Sequence, residues 1–297
     1  MAVRMPMVAM GMVVMMIVVV SGAHVWVPGV SAKMVSQPRQ GPCVRPPVSC
    51  KMGRMTTTTQ PFALSVTIPA HNEARFIGKG IESVLRSAQK AGQNVEVVVA
   101  LNRCTDQTQV IAESLGARCV VEDTKCISAV RNAAIRASTA PAIATLDADS
   151  WMSEDTIEAI LQKVHDERYV GGGAMIKPER MSPGIFFSVL SVVPYVIHHR
   201  LSYGMFWFRR ETFEALNGFD EQLVSVEDVD FALRLRSLGR ARGQRYGTIW
   251  RGGITTSCRK FDLFGDWYLF KNPGLVRRIF AGHDRAAADH FFYDVKR

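Results

Sequence analysis

The chain predicts an α/β domain built on a single, mostly parallel sheet with helices covering both faces. Three observations predict it. Short β-rich runs alternate with amphipathic helical stretches beyond Met55. One of those runs, Val95–Leu101, is apolar almost throughout, as a strand buried on both faces must be. The acidic residues able to carry chemistry stand just after strands, where ligands of such sheets bind.

The elements follow in order. Residues 65–69 read as a first strand; Ile77, Ile81, Val84, Leu85 and Ala88 then recur at helical spacing as a buried stripe that ends at Gly92. After Val95–Leu101 a helix turns Val110, Ile111 and Leu115 inward and stops at Gly116. Residues 119–121 make a third strand, Ile127–Ala137 an alanine-rich helix, and 142–146 a fourth strand running into Asp147. Ser153, with Glu154 and Asp155 behind it, is expected to cap the next helix in the sense its dipole favours.

Composition bounds the function. At 297 residues and 47% hydrophobic content the chain can bury a sizeable core. The net charge of +9 is unevenly spread: residues 1–54 hold six basic side chains and no acid, which leaves +3 for the rest. A nearly neutral body without a Lys/Arg-rich run argues against a nucleic-acid partner, because phosphate-backbone binding needs positive charge concentrated on one face. The six cysteines form no C-x-x-C pair or Cys/His cluster, so free thiols and a cytoplasmic location are expected.

Residues 5–27 are apolar almost throughout, long enough to span a bilayer and also compatible with a secretory signal. Residues 28–54 are rich in Pro, Gly, Gln and Ser and have no period, the composition of a disordered segment. Ten of the 14 methionines fall at or before Met55, which itself opens a short polar lead into the first strand. The chain therefore divides into an extension at 1–55, disordered or upstream of the true start, and a working domain at 56–297. A membrane anchor on the cytoplasmic face is the alternative for the extension.

Asp147 and Asp149 stand two residues apart beyond the fourth strand. Mg²⁺ or Mn²⁺ is commonly held by one or two carboxylates, with water and substrate phosphates completing the shell. Two solvated acids in a surface loop are the plainer reading, and the position after a buried strand is what favours the metal. Glu227-Asp228-Val229-Asp230 opens a further helix. Acids in a first turn suit the helix dipole, and the same rigid mount can hold a carboxylate that takes a proton from an attacking hydroxyl.

In order along the chain, Val66-Thr-Ile-Pro-Ala-His-Asn-Glu73, the Thr105-Asp106-Gln-Thr108 turn, Asp147-Ala-Asp149, Gly218-Phe-Asp-Glu221 and Glu227-Asp228 resemble the motifs of family 2 glycosyltransferases. The resemblance implies the A-type glycosyltransferase fold, a single Rossmann-like domain that binds a nucleotide diphosphate sugar. By similarity, Pro69, Ala70, Asn72 and Glu73 would line the nucleotide pocket and Asp106 would shape the loop after the second strand. Asp147 would face the ribose, Asp149 would ligate the Mg²⁺ or Mn²⁺ that bridges the diphosphate, and Asp228 would be the general base of an inverting displacement. Lys125, Arg131 and Asn132 could add donor contacts, or be no more than exposed polar residues on a helix.

The chain departs from the pattern at two places. Asn102 stands where many relatives carry an acid, so a nucleobase contact through its amide is expected and the identity of the base is open. No histidine lies between Arg200 and Arg278, so metal binding would rest on Asp149, phosphate and water, with Ser257-Cys-Arg-Lys260 as a cationic contact for the diphosphate.

For the acceptor, residues 185–197 are strongly apolar but short for a membrane span, which leaves a buried helix or contact with a lipid-linked acceptor; a polysaccharide is equally open. Tyr203, Phe206, Trp207 and Phe208 are either stacking surface for sugar rings or core. A nucleotidyltransferase would carry a Gly-rich phosphate loop where Pro69-Ala-His-Asn-Glu73 stands. A silent binding module would have no need of both Asp149 and Asp228.

Overall fold

A computed structural model describes residues 61–190, 202, 204–223, 227–272 and 274. The extension at 1–55, Tyr203 and the second half of the 185–197 run lie outside them. Four parallel strands, β1 (Leu64–Ala70), β2 (Val95–Leu101), β3 (Arg118–Val121) and β4 (Ala142–Thr145), lie in the order β3-β2-β1-β4. The sheet continues past β4 through four more strands: β7 (Phe206–Arg209), β6 (Tyr169–Pro178), β8 (Arg245–Thr256) and β5 (Ser150–Met152). Here β7 runs antiparallel to both β4 and β6, β8 is parallel to β6, and β5 closes the edge antiparallel to β8.

The first half is the part that strand patterning predicts. The second is not, because β6 carries Gly171-Gly172-Gly173, and glycine is depleted in strands. Here packing requires it: a Cβ on Gly172 would run into the backbone of Gly247 on β8, and a Cβ on Gly247 would meet the rings of Trp207 and Tyr169.

Helices α1 (Ile77–Ala91), α2 (Thr108–Ser114) and α4 (Thr156–Val164) bury Ile77, Ile81, Val84, Ala112, Ile157 and Ile160 with Leu64, Val66 and Ile68 of β1 on one face. On the other face Val130 and Ala134 of α3 (Ile127–Ala137) pack on Val98 and Ala100 of β2. Further along that face, α6 (Arg210–Leu216) and α7 (Glu227–Ala241) enclose Phe206, Phe208, Phe213, Phe219 and Phe231. Residues 183–190 form α5; α8 (Arg259–Phe264) and α9 (Tyr268–Lys271) follow β8.

Three local expectations are corrected. Leu85 is 40% exposed and Val110 61% exposed, because each lies on the flank of its helix stripe while Ser83, Ser87 and Thr108 fill the buried face through hydrogen bonds. Ser153 does not cap α4 with its side chain; the helix begins at Thr156, whose N–H reaches the Ser153 carbonyl. Phe206, Trp207 and Phe208 are fully buried, with Trp207 Nε1 donating to the Gly173 carbonyl at 3.1 Å, so none of the three is a stacking surface. No helix among the described residues is long and apolar enough to cross a membrane.

Glu96 ties the parallel half together. Its buried carboxylate accepts from Ser65 Oγ at 2.6 Å and Thr139 N at 2.7 Å, and pairs with Arg118 at 2.9 Å. Burial opposes its charge, but these donors outweigh burial and hold its pKa below the ordinary value. Glu96→Gln keeps the shape and removes the charge, so urea unfolding will show a loss of about 1–3 kcal/mol.

Candidate active site

The site lies beyond the carboxyl ends of β1, β2 and β4, three adjacent strands whose loops open on the same side of the sheet. The first loop is held by side chains of the second. Asn72 takes a left-handed backbone (φ 52°), which asparagine tolerates, and its Oδ1 accepts from Thr105 N at 2.7 Å. Asp106 accepts from Ala74 N and Thr108 N, each at 3.0 Å, and Thr108 Oγ1 in turn accepts from Glu73 N at 2.8 Å. Asp106 thus shapes the rim, and Glu73 is 4% exposed behind it.

Pro69 and Ala70 are buried within β1, so only their backbone can face a ligand. Asn102 departs from expectation. Its amide donates to the Glu122 carbonyl at 2.6 Å and the Thr124 carbonyl at 2.9 Å, so both N–H groups fasten β2 to the chain after β3 rather than waiting for a nucleobase. Lys125 is exposed on the turn before α3.

Arg131 is the hub. It is 5% exposed, not a surface residue of its helix. Its Nη2 donates to Asp147 Oδ1 at 2.9 Å and lies 3.5 Å from Asp228 Oδ1; its Nε stands 4.0 Å from Glu227 Oε1. Burial opposes its charge, but the carboxylates of Asp228, Asp147 and Glu227 around it raise its pKa further still. Next to it Asn132 clamps the Gly218-Phe-Asp-Glu221 turn: its amide donates to the Phe219 carbonyl and accepts from Phe219 N, each at 2.9 Å. Gly218 (φ 74°) brings its Cα so near that a Cβ would stand 2.6 Å from Asn132 Oδ1.

Asp149 is held from the far end of the chain. Pairing of Ser150 with Thr256 sets β8 beside it, so Ser257 Oγ donates to Asp149 Oδ2 at 3.1 Å and Arg259 Nη2 donates to the same oxygen at 3.0 Å. Arg259 Nη1 also reaches Glu73 Oε2 at 2.8 Å. The charges of both Asp228 and Asp149 act on Asp147, whose carboxyl is pushed up mainly by burial. Asp149 and Asp228 thus both lie near enough to Asp147 for their charges to act on it.

Among the described residues five buried side-chain polar atoms lack a hydrogen-bond partner, and three of them are Arg131 Nε, Asp228 Oδ1 and Arg259 Nε. Orphaned polar groups are rare in a folded interior, and three of the five fall on residues of this cluster. A surface depression between Arg168, Arg209 and Arg242 is a different place. Arg209 pairs with Ala142 at the start of β4, the opposite sheet edge from Asp147.

The glycosyl transferase family 2 model matches residues 65–217, more than half of the chain. The chain belongs to glycosyltransferase family 2. This transferase shares its fold with solved structures of low identity. S. aureus TarS 1–349 is 18% identical with a TM-score of 0.50, over 77% of this chain and 68% of that one. The same S. aureus protein has been solved with UDP-GlcNAc, again at 18% identity and 0.50. The Pyrobaculum calidifontis mannosyltransferase PcManGT, solved with GDP-Man and Mn²⁺, is 19% identical at 0.50, over 74% of this chain and 65% of that one. No curated protein matches the sequence. The expected A-type fold and glycosyltransferase class hold.

Glu227 supplies a pH signature for this enzyme. Burial first, and the Asp228 charge second, push its carboxyl from 4.5 up to about 7. A carboxyl raised on folding contributes its full stability below the unfolded value and loses it as pH rises through the folded one. Stability is therefore expected to fall between about pH 4.5 and 7, and Glu227→Gln to flatten that fall by on the order of 2 kcal/mol at pH 8. Denaturant titrations of both proteins at pH 5 and pH 8 check it.

Proposed function

We propose that this glycosyltransferase moves a sugar from a nucleotide diphosphate donor to an acceptor hydroxyl with inversion, using Asp228 as base and a divalent cation at Asp149. The observation that carries it is the bridge through Arg131: one buried guanidinium contacts both Asp147, two residues from the metal acid, and Asp228, the base. The residues fit a cation. Asp149 Oδ2 is engaged by Ser257 and Arg259, while Oδ1 accepts no hydrogen bond among the described residues. One carboxylate oxygen is enough for Mg²⁺ or Mn²⁺ when diphosphate and water complete the shell. Such an ion, when bound, neutralises charge on the departing diphosphate. The donors seen in TarS and PcManGT, UDP-GlcNAc and GDP-Man, and the Mn²⁺ of PcManGT support this class of donor and metal.

The chain's own residues do the rest. Asn72 and Glu73 form the wall toward the nucleotide, and the Asn72 backbone is held in shape by Thr105. Asp147, held by Arg131, would face the ribose. Asp228 is mounted on the rigid first turn of α7 and accepts the acceptor's proton as its oxygen attacks. Thermal unfolding of the full chain with UDP or GDP, with and without Mn²⁺, tests the reading. A nucleotide at ~100 times its dissociation constant stabilises by about 2.7 kcal/mol. The gain must need Mn²⁺ and vanish in Asp149→Asn; a gain indifferent to both rejects the metal assignment.

A further inference from the structure

Resting on the reading of Asp149 as metal ligand, we propose that Arg259 is an internal counter-cation that holds Asp149 in the donor-free enzyme and yields it when a divalent ion enters with the diphosphate. Arg259 is a positioning residue in this account, and it makes uptake of metal and donor mutually dependent.

The geometry distinguishes the three holds on this guanidinium. Nη1 bonds Glu73 Oε2 at 2.8 Å, and Glu73 is itself buried in the β1 loop. The guanidinium lies over the Phe76 ring, 5.3 Å from its centroid. The third hold, Nη2 to Asp149 Oδ2 at 3.0 Å, is on the carboxylate that a cation would claim. Two positive groups on one carboxylate repel each other, and each weakens the other's hold on it. Glu73 and Phe76 keep Arg259 in place whether or not Asp149 is shared, so the side chain need release only one arm.

The arm that is released has a use. Arg259 Nε is buried and already lacks an acceptor. Giving up Asp149 adds a second unmatched donor on the same planar fork, a geometry suited to two oxygens of one anion. On the proposed reading of the site, the phosphate oxygens of the donor are the anion of the right shape. Arg259 thus excludes a bare ion, and the incoming diphosphate compensates it for the loss of Asp149.

Mn²⁺ binding to the full chain without nucleotide, read by the electron paramagnetic resonance of free Mn²⁺, tests this apart from turnover. Arg259→Gln and Arg259→Lys are expected to bind Mn²⁺ about tenfold more tightly than the wild type, since a competing charge-assisted bond is removed or shortened to one contact. Added UDP or GDP is expected to tighten Mn²⁺ binding in the wild type more than in Arg259→Gln. Equal Mn²⁺ affinity in the wild type and both variants, with binding still lost in Asp149→Asn, overturns the latch and leaves the metal site standing. Binding indifferent to Asp149→Asn removes the metal site and the latch together. Loss of the fold in both Arg259 variants also overturns the proposal, because a contact that yields in each cycle cannot be indispensable to folding.

Discussion

Asp228→Asn is expected to lower transfer by ~10²–10⁴-fold while leaving donor affinity within a few-fold of the wild type. Asn has the shape of Asp, so the start of α7 and the neighbourhood of Arg131 persist. What is lost is the carboxylate able to take a proton. Asp228 Oδ1 is buried, has no hydrogen-bond partner and lies 3.5 Å from Arg131, so it is held near the cation without being spent on it. Single-turnover rates set beside donor titrations separate the two effects: a fall in rate with unchanged donor affinity marks a group that acts on the acceptor in the transition state. Unchanged turnover would reject the base.

Arg131→Met is expected to have the largest effect on stability, a loss of about 3–5 kcal/mol, along with most donor binding. Methionine fills much of the volume but leaves Asp147, Glu227 and Asp228 facing one another without a cation. Their mutual repulsion in a buried site would be relieved only by protonation, so the deficit will be smaller near pH 5 than near pH 8. Urea midpoints at the two pH values measure it. A change below ~1 kcal/mol at pH 8 would mean that the three carboxylates do not depend on this guanidinium.

The parallel half of the fold could be read from sequence because its signals are local. Val95–Leu101 is recognisable by composition alone, and Ile127–Ala137 begins and ends where its alanine-rich pattern does. Strands β6 and β8 could not be found that way, since glycines such as Gly172 and Gly247 answer to groups distant in sequence or on other strands and not to a local pattern. The site divides along the same line. Asp147, Asp149 and Asp228 stand out as acids after a strand or at a helix start. The burial of Arg131 does not, because an arginine on an alanine-rich helix looks like a solvated charge until the chain returns nearly 100 residues later with Glu227 and Asp228. Asn102 misleads for the opposite reason: a polar residue at a strand end suggests a ligand, and its donors are consumed by two carbonyls 20 and 22 residues away. The pairing of Arg259 with Glu73, 186 residues apart, has no trace in local pattern, although a cationic role for residues 257–260 was legible.

The pairing of β6 with β7 bears on how much the chain can vary between them. Gly173 lies opposite Phe206 and β6 runs on beside β8 to Pro178, so the stretch between the two strands leaves and rejoins one and the same sheet. Lengthening or exchanging a segment whose ends are already pinned together costs little, about 0.6 kcal/mol for each doubling of its length. The loops after β1, β2 and β4 belong to other strands and would not feel the exchange. Added length between these two strands can therefore be absorbed while the register of Gly171–Gly173 against Phe206–Phe208 stays as it is.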